Sequence, residues 1–116
     1  MTELTYRLKD KVVMNLRCPF IFDRSPRLAT ARELIDVTRR ISGSLGEFAA
    51  PFLVLHGKED RVTDPMLSQA LYDESKSADK SIKLYDGMWH ALMCGETEEN
   101  IDRVFKDVTE WILARA

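Results

Sequence analysis

The spacing of hydrophobic residues changes along this chain and predicts two short strands set among helices. An apolar run at residues 52–55 is too short for a typical helix and predicts a strand buried on both faces. His56 and Gly57 end that run. Residues 82–85 alternate between apolar and polar and predict a second strand, which Asp86 and Gly87 end.

Apolar residues that recur every three or four positions predict three helices around these strands. The first begins at Leu28 and runs to about residue 45. The second begins at Pro65, where Asp64 is placed to cap it, and runs to about residue 76. The third follows Thr97 and has the most regular apolar stripe: Ile101, Val104, Phe105, Val108, Trp111 and Ile112. Residues 4–16 show a weaker helical pattern.

The order strand, helix, strand predicts a right-handed parallel crossover, which brings the carboxyl ends of both strands to one edge. Asp60 follows the first strand and His90 follows the second. Ligands and catalytic groups collect at this edge of open parallel sheets. A carboxylate paired with an imidazole fixes the imidazole tautomer and stabilises its protonated form. The residues alone leave a plainer alternative open, in which Asp60 caps a turn and His90 packs in a partly buried position.

Composition and charge narrow the function. With 116 residues the chain forms one domain at most, and a net charge of −2 without a Lys/Arg block argues against a nucleic-acid partner. Cys18 and Cys94 have neither metal-site nor disulfide-framework spacing and fit a reducing compartment. No apolar run approaches a membrane span, and the first residues lack a signal-peptide core, which favours the cytoplasm.

The remaining candidate residues are expected to be structural. His56, Asp60 and His90 form a conceivable metal set, but His56 ends a strand before a glycine, so no metal or other cofactor is predicted. Cys94 is expected to be an ordinary loop residue rather than a reactive thiol.

Two further groups of loop residues have a plain and a functional interpretation. Met88, Trp89 and Met93 either line an acyl or aromatic pocket or pack near the last helix. Glu96, with the two glutamates after Thr97, is expected to complement the helix amino terminus and to need no other role.

Several spaced motifs together resemble a known family. PFLVLHGKEDRVTDP at residues 51–65, KLYDGMWHAL at residues 83–92, the closing helix, and the segment from Pro26 resemble the carboxyl-terminal part of an α/β-hydrolase. More narrowly, the chain is similar to the monoacylglycerol lipase and caffeoylshikimate-esterase-like branch of the S33-type serine hydrolases, over about residues 26–114. The resemblance implies an α/β fold with two parallel strands and flanking helices at residues 28–116. It also implies that residues 1–27 are a poorly defined remnant of the cap region.

The resemblance also implies roles for two residues. Asp60 stands where the family's His/Gln-Gly-x-x-Asp loop carries the triad acid, and His90 stands where its Gly-x-x-His segment carries the base. The family's nucleophile belongs in a Gly-x-Ser-x-Gly turn that this sequence lacks, since Gly43-Ser44-Leu45-Gly46 has the wrong spacing. Both oxyanion-hole donors also lie outside the chain. Losing the nucleophile costs on the order of a millionfold in a serine protease. The chain is therefore expected to be an inactive fragment of a serine ester hydrolase.

The implied parent enzyme acts in lipid metabolism or on related esters. Its expected partners are a small-molecule ester or lipid substrate and the missing amino-terminal half, with contact at membrane surfaces left open. The alternative is a non-catalytic truncated product that binds a partner or a lipid.

Overall fold

A computed structural model describes residues 2–20 and 25–116, so Met1 and residues 21–24 of the predicted cap remnant lie outside the described residues. The described part contains two parallel strands among helices, as predicted from the hydrophobic pattern. The elements in chain order are α1 (Thr2–Thr5), α2 (Lys9–Leu16), α3 (Leu28–Ser42), a 3₁₀ turn (Leu45–Glu47), β1 (Phe52–Gly57), α4 (Pro65–Glu74), β2 (Lys80–Tyr85) and α5 (Glu98–Leu113).

Strands β1 and β2 pair in parallel over their whole lengths, from Phe52 opposite Lys80 to Gly57 opposite Tyr85. Strand β1 is longer than predicted, because His56 and Gly57 continue the ladder. The prediction that β1 is buried on both faces is wrong, since residues 52–56 are only half-buried. Within the described residues β1 has one strand neighbour, and its packing comes mainly from α4 and α5.

Capping side chains define the starts of the helices that flank the sheet. The carboxylate of Asp64 accepts from the backbone N–H of Met66 at 2.9 Å, with proline as the next residue, which confirms the predicted start of α4. Thr97 caps α5 as predicted. Helix α4 ends two residues early because Ser75 is extended, and the Lys80 ammonium group satisfies the Ser75 carbonyl at 2.8 Å.

The amino-terminal region differs from the single helix suggested by its apolar pattern. Helices α1 and α2 are separate because Leu8 is extended, and the backbone around it bonds to the loop after His90. In these bonds Ala91 N–H donates to the Thr5 carbonyl at 3.1 Å, and Arg7 N–H donates to the Gly95 carbonyl at 3.2 Å. The amino-terminal segment thus packs on the loop between β2 and α5, which carries His90 and is called the histidine loop.

Helix α3 is amphipathic as predicted, but it ends at Ser42 and its apolar face is not buried. The side chains of Leu28, Leu34, Ile35 and Ile41 are all more than half exposed.

No helix in the described part of the chain is both long and apolar enough to cross a membrane.

The hydrophobic core lies under the carboxyl ends of the strands. Tyr85, Met88 and Val104 are each 1% exposed, and Leu55 and Leu92 pack against them. The core therefore supports the two loops that leave β1 and β2.

Gly57 allows these two loops to meet backbone to backbone. A Cβ atom at Gly57 would lie 2.3 Å from the Met88 carbonyl oxygen and 2.5 Å from that of Trp89. Directly beyond the glycine, Glu59 N–H donates to the same Met88 carbonyl at 3.1 Å. A side chain at Gly57 would push the two loops apart.

We expect Gly57→Ala to lower the free energy of unfolding by about 1–3 kcal/mol, the usual cost of overpacking a tight contact. The matched control is Gly46→Ala, whose added Cβ would lie 3.7 Å from the Glu74 carbonyl oxygen, an ordinary van der Waals contact. Chemical denaturation of both variants measures the difference. Equal costs for the two would contradict the close approach at Gly57.

Candidate active site

The carboxylate of Asp60 is the centre of the site and accepts five hydrogen bonds. Its Oδ1 accepts from the backbone N–H groups of Val62 at 2.7 Å and Thr63 at 3.0 Å. Its Oδ2 accepts from the Thr63 hydroxyl at 2.8 Å and from His56 Nε2 and His90 Nδ1, each at 2.9 Å. The side chain is 2% exposed. The loop after β1 therefore folds around a buried acid.

These hydrogen bonds set the ionisation of Asp60. Burial by itself would raise the pKa of the carboxyl, but the bonds from the Thr63 and Val62 backbone and from the His90 and Thr63 side chains outweigh burial. The pKa of Asp60 therefore lies well below its usual range. The group is a carboxylate at neutral pH and can only accept hydrogen bonds.

His90 contacts the Asp60 carboxylate through Nδ1, so the structure brings the two predicted site residues together. Because Asp60 only accepts, Nδ1 of His90 carries the hydrogen, and Nε2 of the neutral ring presents a lone pair. The side chain is 37% exposed, and within residues 2–20 and 25–116 no group hydrogen-bonds to Nε2. The arrangement suits proton transfer at Nε2, and the catalytic roles of the two residues stay a prediction.

His56 is a site residue that the sequence interpretation missed. It was expected to have a structural role at the strand end, yet its Nε2 bonds to Asp60 and its Nδ1 lies 2.7 Å from the Ser68 hydroxyl oxygen. The available signal was its position at the carboxyl end of β1, on the same edge as Asp60. Among the residues that the structure describes, no group of three His, Cys, Asp or Glu side chains is arranged to hold a metal ion.

Thr63 was also missed, because its sequence position suggested only the start of a helix. Besides donating to Asp60, its hydroxyl oxygen lies 3.3 Å from His90 Nδ1 and 3.4 Å from His56 Nε2. The hydroxyl thus fills the space between the two imidazoles.

Glu96 differs most from its predicted role. It was expected to act only on the helix amino terminus, yet its side chain is completely buried. Its carboxylate accepts from Trp89 N–H at 2.8 Å, from the Asn100 amide at 3.1 Å and from Arg7 Nη1 at 3.3 Å. Glu96 therefore fixes the residue before His90 and joins that loop to the amino-terminal segment.

The other loop candidates occupy different environments. Met88 is part of the core, whereas Met93 is 56% exposed and Cys94 is an exposed free thiol. Trp89 lines a cavity of about 560 Å³ with residues of the amino-terminal helices, and the Arg61 guanidinium lies 4.5 Å over its ring. Of the three predicted pocket residues, Trp89 thus lines a cavity and Met88 packs in the core.

A second cavity, of about 210 Å³, opens at the paired residues. Its lining comprises Leu55, His56, Gly57, Asp60, Thr63, His90 and Leu92. The side chains of Asp60 and His90 thus adjoin open space.

The lowered pKa of Asp60 predicts a specific dependence of stability on pH. An unfolded aspartate titrates near pH 4, so the stabilising contribution of Asp60 is present above that pH and is lost as pH falls toward the folded-state pKa. We expect the free energy of unfolding to fall less steeply between about pH 4 and pH 2 in Asp60→Asn than in the wild type. Other carboxyl groups affect both proteins alike, so the difference between the slopes reports Asp60. Parallel slopes in denaturant titrations would contradict the assignment.

The burial of Glu96 predicts a large cost for its removal. We expect Glu96→Ala to lower the free energy of unfolding by about 1–3 kcal/mol, because the partly buried Trp89 N–H loses its acceptor. Glu98→Ala is the matched control, since Glu98 is 82% exposed and pairs only with Lys11 at the surface. Urea denaturation compares the two variants, and a similar cost for both would rule out a special role for Glu96.

Comparison with known proteins identifies the family. A family model described as serine aminopeptidase, S33, matches residues 2–98. The caffeoylshikimate esterase of Arabidopsis thaliana is 42% identical over 94 residues, which are 81% of this chain and 28% of that protein. The monoglyceride lipase of Homo sapiens is 30% identical over 97 residues, which are 84% of this chain and 32% of that protein.

Structural comparison agrees with the sequence comparison. The crystal structure of the Paleococcus ferrophilus monoacylglycerol lipase superposes with a TM-score of 0.85 and 27% identity, over 100% of this chain and 44% of that one. The chain thus spans less than half the length of each of these relatives, and the match includes the amino-terminal helices, where the sequence motifs were weak. The predicted resemblance and fold class are confirmed: the chain belongs to the serine aminopeptidase S33 family and forms a portion of an α/β-hydrolase fold.

Proposed function

We propose that this chain supplies the acid and the base of a serine ester hydrolase, with Asp60 as the triad acid and His90 as the general base. The observation that carries the proposal is the 2.9 Å contact between a buried carboxylate and a partly exposed imidazole. A contact that served only stability would have no need to leave the His90 ring partly exposed at the edge of a cavity.

In the proposed reaction His90 Nε2 takes the proton of a serine hydroxyl as that oxygen attacks the ester carbonyl. Asp60 holds the ring and stabilises the imidazolium that forms. The imidazolium then gives its proton to the departing alcohol, which leaves an acyl-enzyme. A water molecule, deprotonated by His90 in turn, releases the carboxylic acid and restores the serine.

The serine has to come from another part of the hydrolase fold, because these 116 residues contain no Gly-x-Ser-x-Gly turn. Ser44, in the nearest sequence match, follows the end of α3, where its hydroxyl oxygen lies 3.1 Å from the carbonyl oxygens of both Arg40 and Ile41 and is able to donate to either. We therefore infer that residues 1–116 alone do not hydrolyse esters. In this proposal residues 1–27 belong to the cap region and residues 28–116 to the hydrolase domain.

The substrate proposed for the complete enzyme is a small ester with an apolar acyl or aromatic part, including lipid esters. Support comes from the cavity beside Trp89, where Val12, Val13 and Leu16 provide apolar walls. The relatives named for esterase or lipase activity support the same class. The proposed location is the cytoplasm, with access to lipid at membrane surfaces.

The exposed face of α3 favours a second candidate function, a non-catalytic module that binds a partner or a lipid. Leu28 and Leu34 are 88% and 60% exposed. A binding module would not depend on the contact between Asp60 and His90. Changing either residue would therefore impair the hydrolase function but not the binding function.

A chimera tests the proposal. Residues 1–116 are fused behind the nucleophile-bearing part of the Arabidopsis caffeoylshikimate esterase, and hydrolysis of a 4-nitrophenyl ester is followed. We expect no hydrolysis by the 116 residues alone and measurable hydrolysis by the chimera. His90→Ala and Asp60→Asn should each lower kcat by about three orders of magnitude or more. His90→Ala should change thermal unfolding little, whereas Asp60→Asn should unfold at a lower temperature, so kcat of both variants is measured below that temperature.

The matched control is Asp73→Asn, an exposed carboxylate on α4 that bonds to Gln69, and it should leave kcat unchanged. Full activity in the His90 or Asp60 variant would show that the pair is misassigned. A folded chimera without hydrolysis would favour the binding module.

A further inference from the structure

Both histidines of the chain meet on one oxygen atom. His56 and His90 are its two histidines, and each places a ring nitrogen 2.9 Å from Oδ2 of Asp60. A triad acid needs one imidazole partner, so the second calls for its own explanation. The side chain of His56 is 14% exposed, which rules out an incidental surface contact.

The surroundings of His56 define its tautomer. Its Nε2 faces Asp60 Oδ2 at 2.9 Å and the Thr63 carbonyl oxygen at 3.4 Å, and both of these atoms accept hydrogen bonds. Its Nδ1 faces the Ser68 hydroxyl at 2.7 Å, which is able to donate. The neutral ring therefore carries its hydrogen on Nε2 and accepts from Ser68 at Nδ1. Ser68 lies on α4, so that helix orients the ring.

We propose that His56 is a positioning residue that acts through Asp60 to set the basicity of His90. A hydrogen bond from His56 to Oδ2 neutralises part of the negative charge on the atom that also holds His90. The imidazolium form of His90 is then stabilised less than it would be by an unshared carboxylate. A base is most effective when its pKa is close to the working pH, and a shared acid keeps the base from holding its proton too tightly.

Few titratable groups adjoin His90 in the part of the chain that the structure describes. Of the residues that line the small cavity around it, Asp60 and His56 are the ones that titrate, since the others are Leu55, Gly57, Thr63 and Leu92. Two cations of the loop after β1 have other partners: Arg61 lies over the Trp89 ring, and Lys58 pairs with Asp86. An altered titration of His90 in a His56 variant would therefore report the connection through Asp60.

This inference rests on the proposed function only for its catalytic meaning, because it is tested on the 116-residue chain without an activity assay. The imidazole nitrogens of the two histidines are followed by ¹⁵N NMR as a function of pH. In the wild type we expect His56 in the Nε2–H tautomer. His56→Leu removes the donor but keeps apolar bulk, and it should raise the pKa of His90 by about 0.5–1 unit, a threefold to tenfold tighter hold on the proton.

His56→Gln is the conservative variant, because its amide offers both an N–H donor and a carbonyl acceptor. It should keep the pKa of His90 within about 0.3 units of the wild type. Ser68→Ala leaves both histidines in place but frees the His56 tautomer, so it should raise the pKa of His90 by a smaller amount than His56→Leu. This variant keeps the test valid if His56→Leu does not fold. Ser44→Ala, at the exposed end of α3, is the matched control and should change neither titration.

Three results would overturn the proposal. The first is a wild-type His56 with its hydrogen on Nδ1. The second is an unchanged or lowered pKa of His90 in Ser68→Ala and in a folded His56→Leu. The third is the same shift in the Gln and Leu variants, which would assign the effect to packing. An inactive chimera would refute the proposed function and would not alter any of these three measurements.

Discussion

The geometry of the site depends on the parallel pairing of β1 with β2, which ends level at Gly57 and Tyr85. Because both strands end at the same height, their following loops start side by side. Because Gly57 has no side chain, the loop after β1, which carries Asp60, can approach the loop after β2, which carries His90. Glu59 N–H of the first loop donates to the Met88 carbonyl of the second at 3.1 Å. The backbone thus brings the loops that carry Asp60 and His90 close together. Helix α4, capped by its own aspartate, returns the chain from one strand to the other and carries the serine that orients the second imidazole.

Two buried carboxylates hold the two loops in place, Asp60 in the loop after β1 and Glu96 in the loop after β2. Burying a carboxylate is costly unless hydrogen bonds replace the water that it loses, and both groups meet that condition with several donors. Asp60 gathers the turn that follows β1, whereas Glu96 holds the backbone before His90 and reaches Arg7 at 3.3 Å. Gly95 supports the same junction, since a Cβ atom there would lie 2.9 Å from the Tyr6 ring. The position of His90 therefore depends on the amino-terminal segment as well as on the sheet.

The sequence was sufficient for the features that local rules control. Alternating and continuous apolar runs located both strands, capping residues located the starts of α4 and α5, and chain order placed Asp60 and His90 at one edge. It was insufficient where partners are distant in the chain. The residues next to Glu96 in the sequence do not indicate that its carboxylate is buried and accepts from a backbone N–H. A spacing of four residues predicts a side-chain contact in a helix, but His56 ends a strand and Asp60 lies in a loop, so their contact could not be predicted from spacing. The break between α1 and α2 likewise comes from backbone bonds to the histidine loop, which a helical apolar pattern does not encode.

Hydrophobic periodicity also shows which face is suited to burial without showing what covers it. Helix α3 has a clear apolar face, yet Leu34 and Ile35 are 60% and 52% exposed, and β1 has one strand neighbour among the described residues. Parallel strands are normally covered on both faces and belong to larger sheets. Under the proposed function these uncovered surfaces and the missing nucleophile have one explanation. The part of an α/β-hydrolase that would extend the sheet beside β1 is also the part that carries the serine to the cavity at His90. Completing the hydrophobic packing and completing the active site would then be the same event, so esterase activity would require the extended sheet.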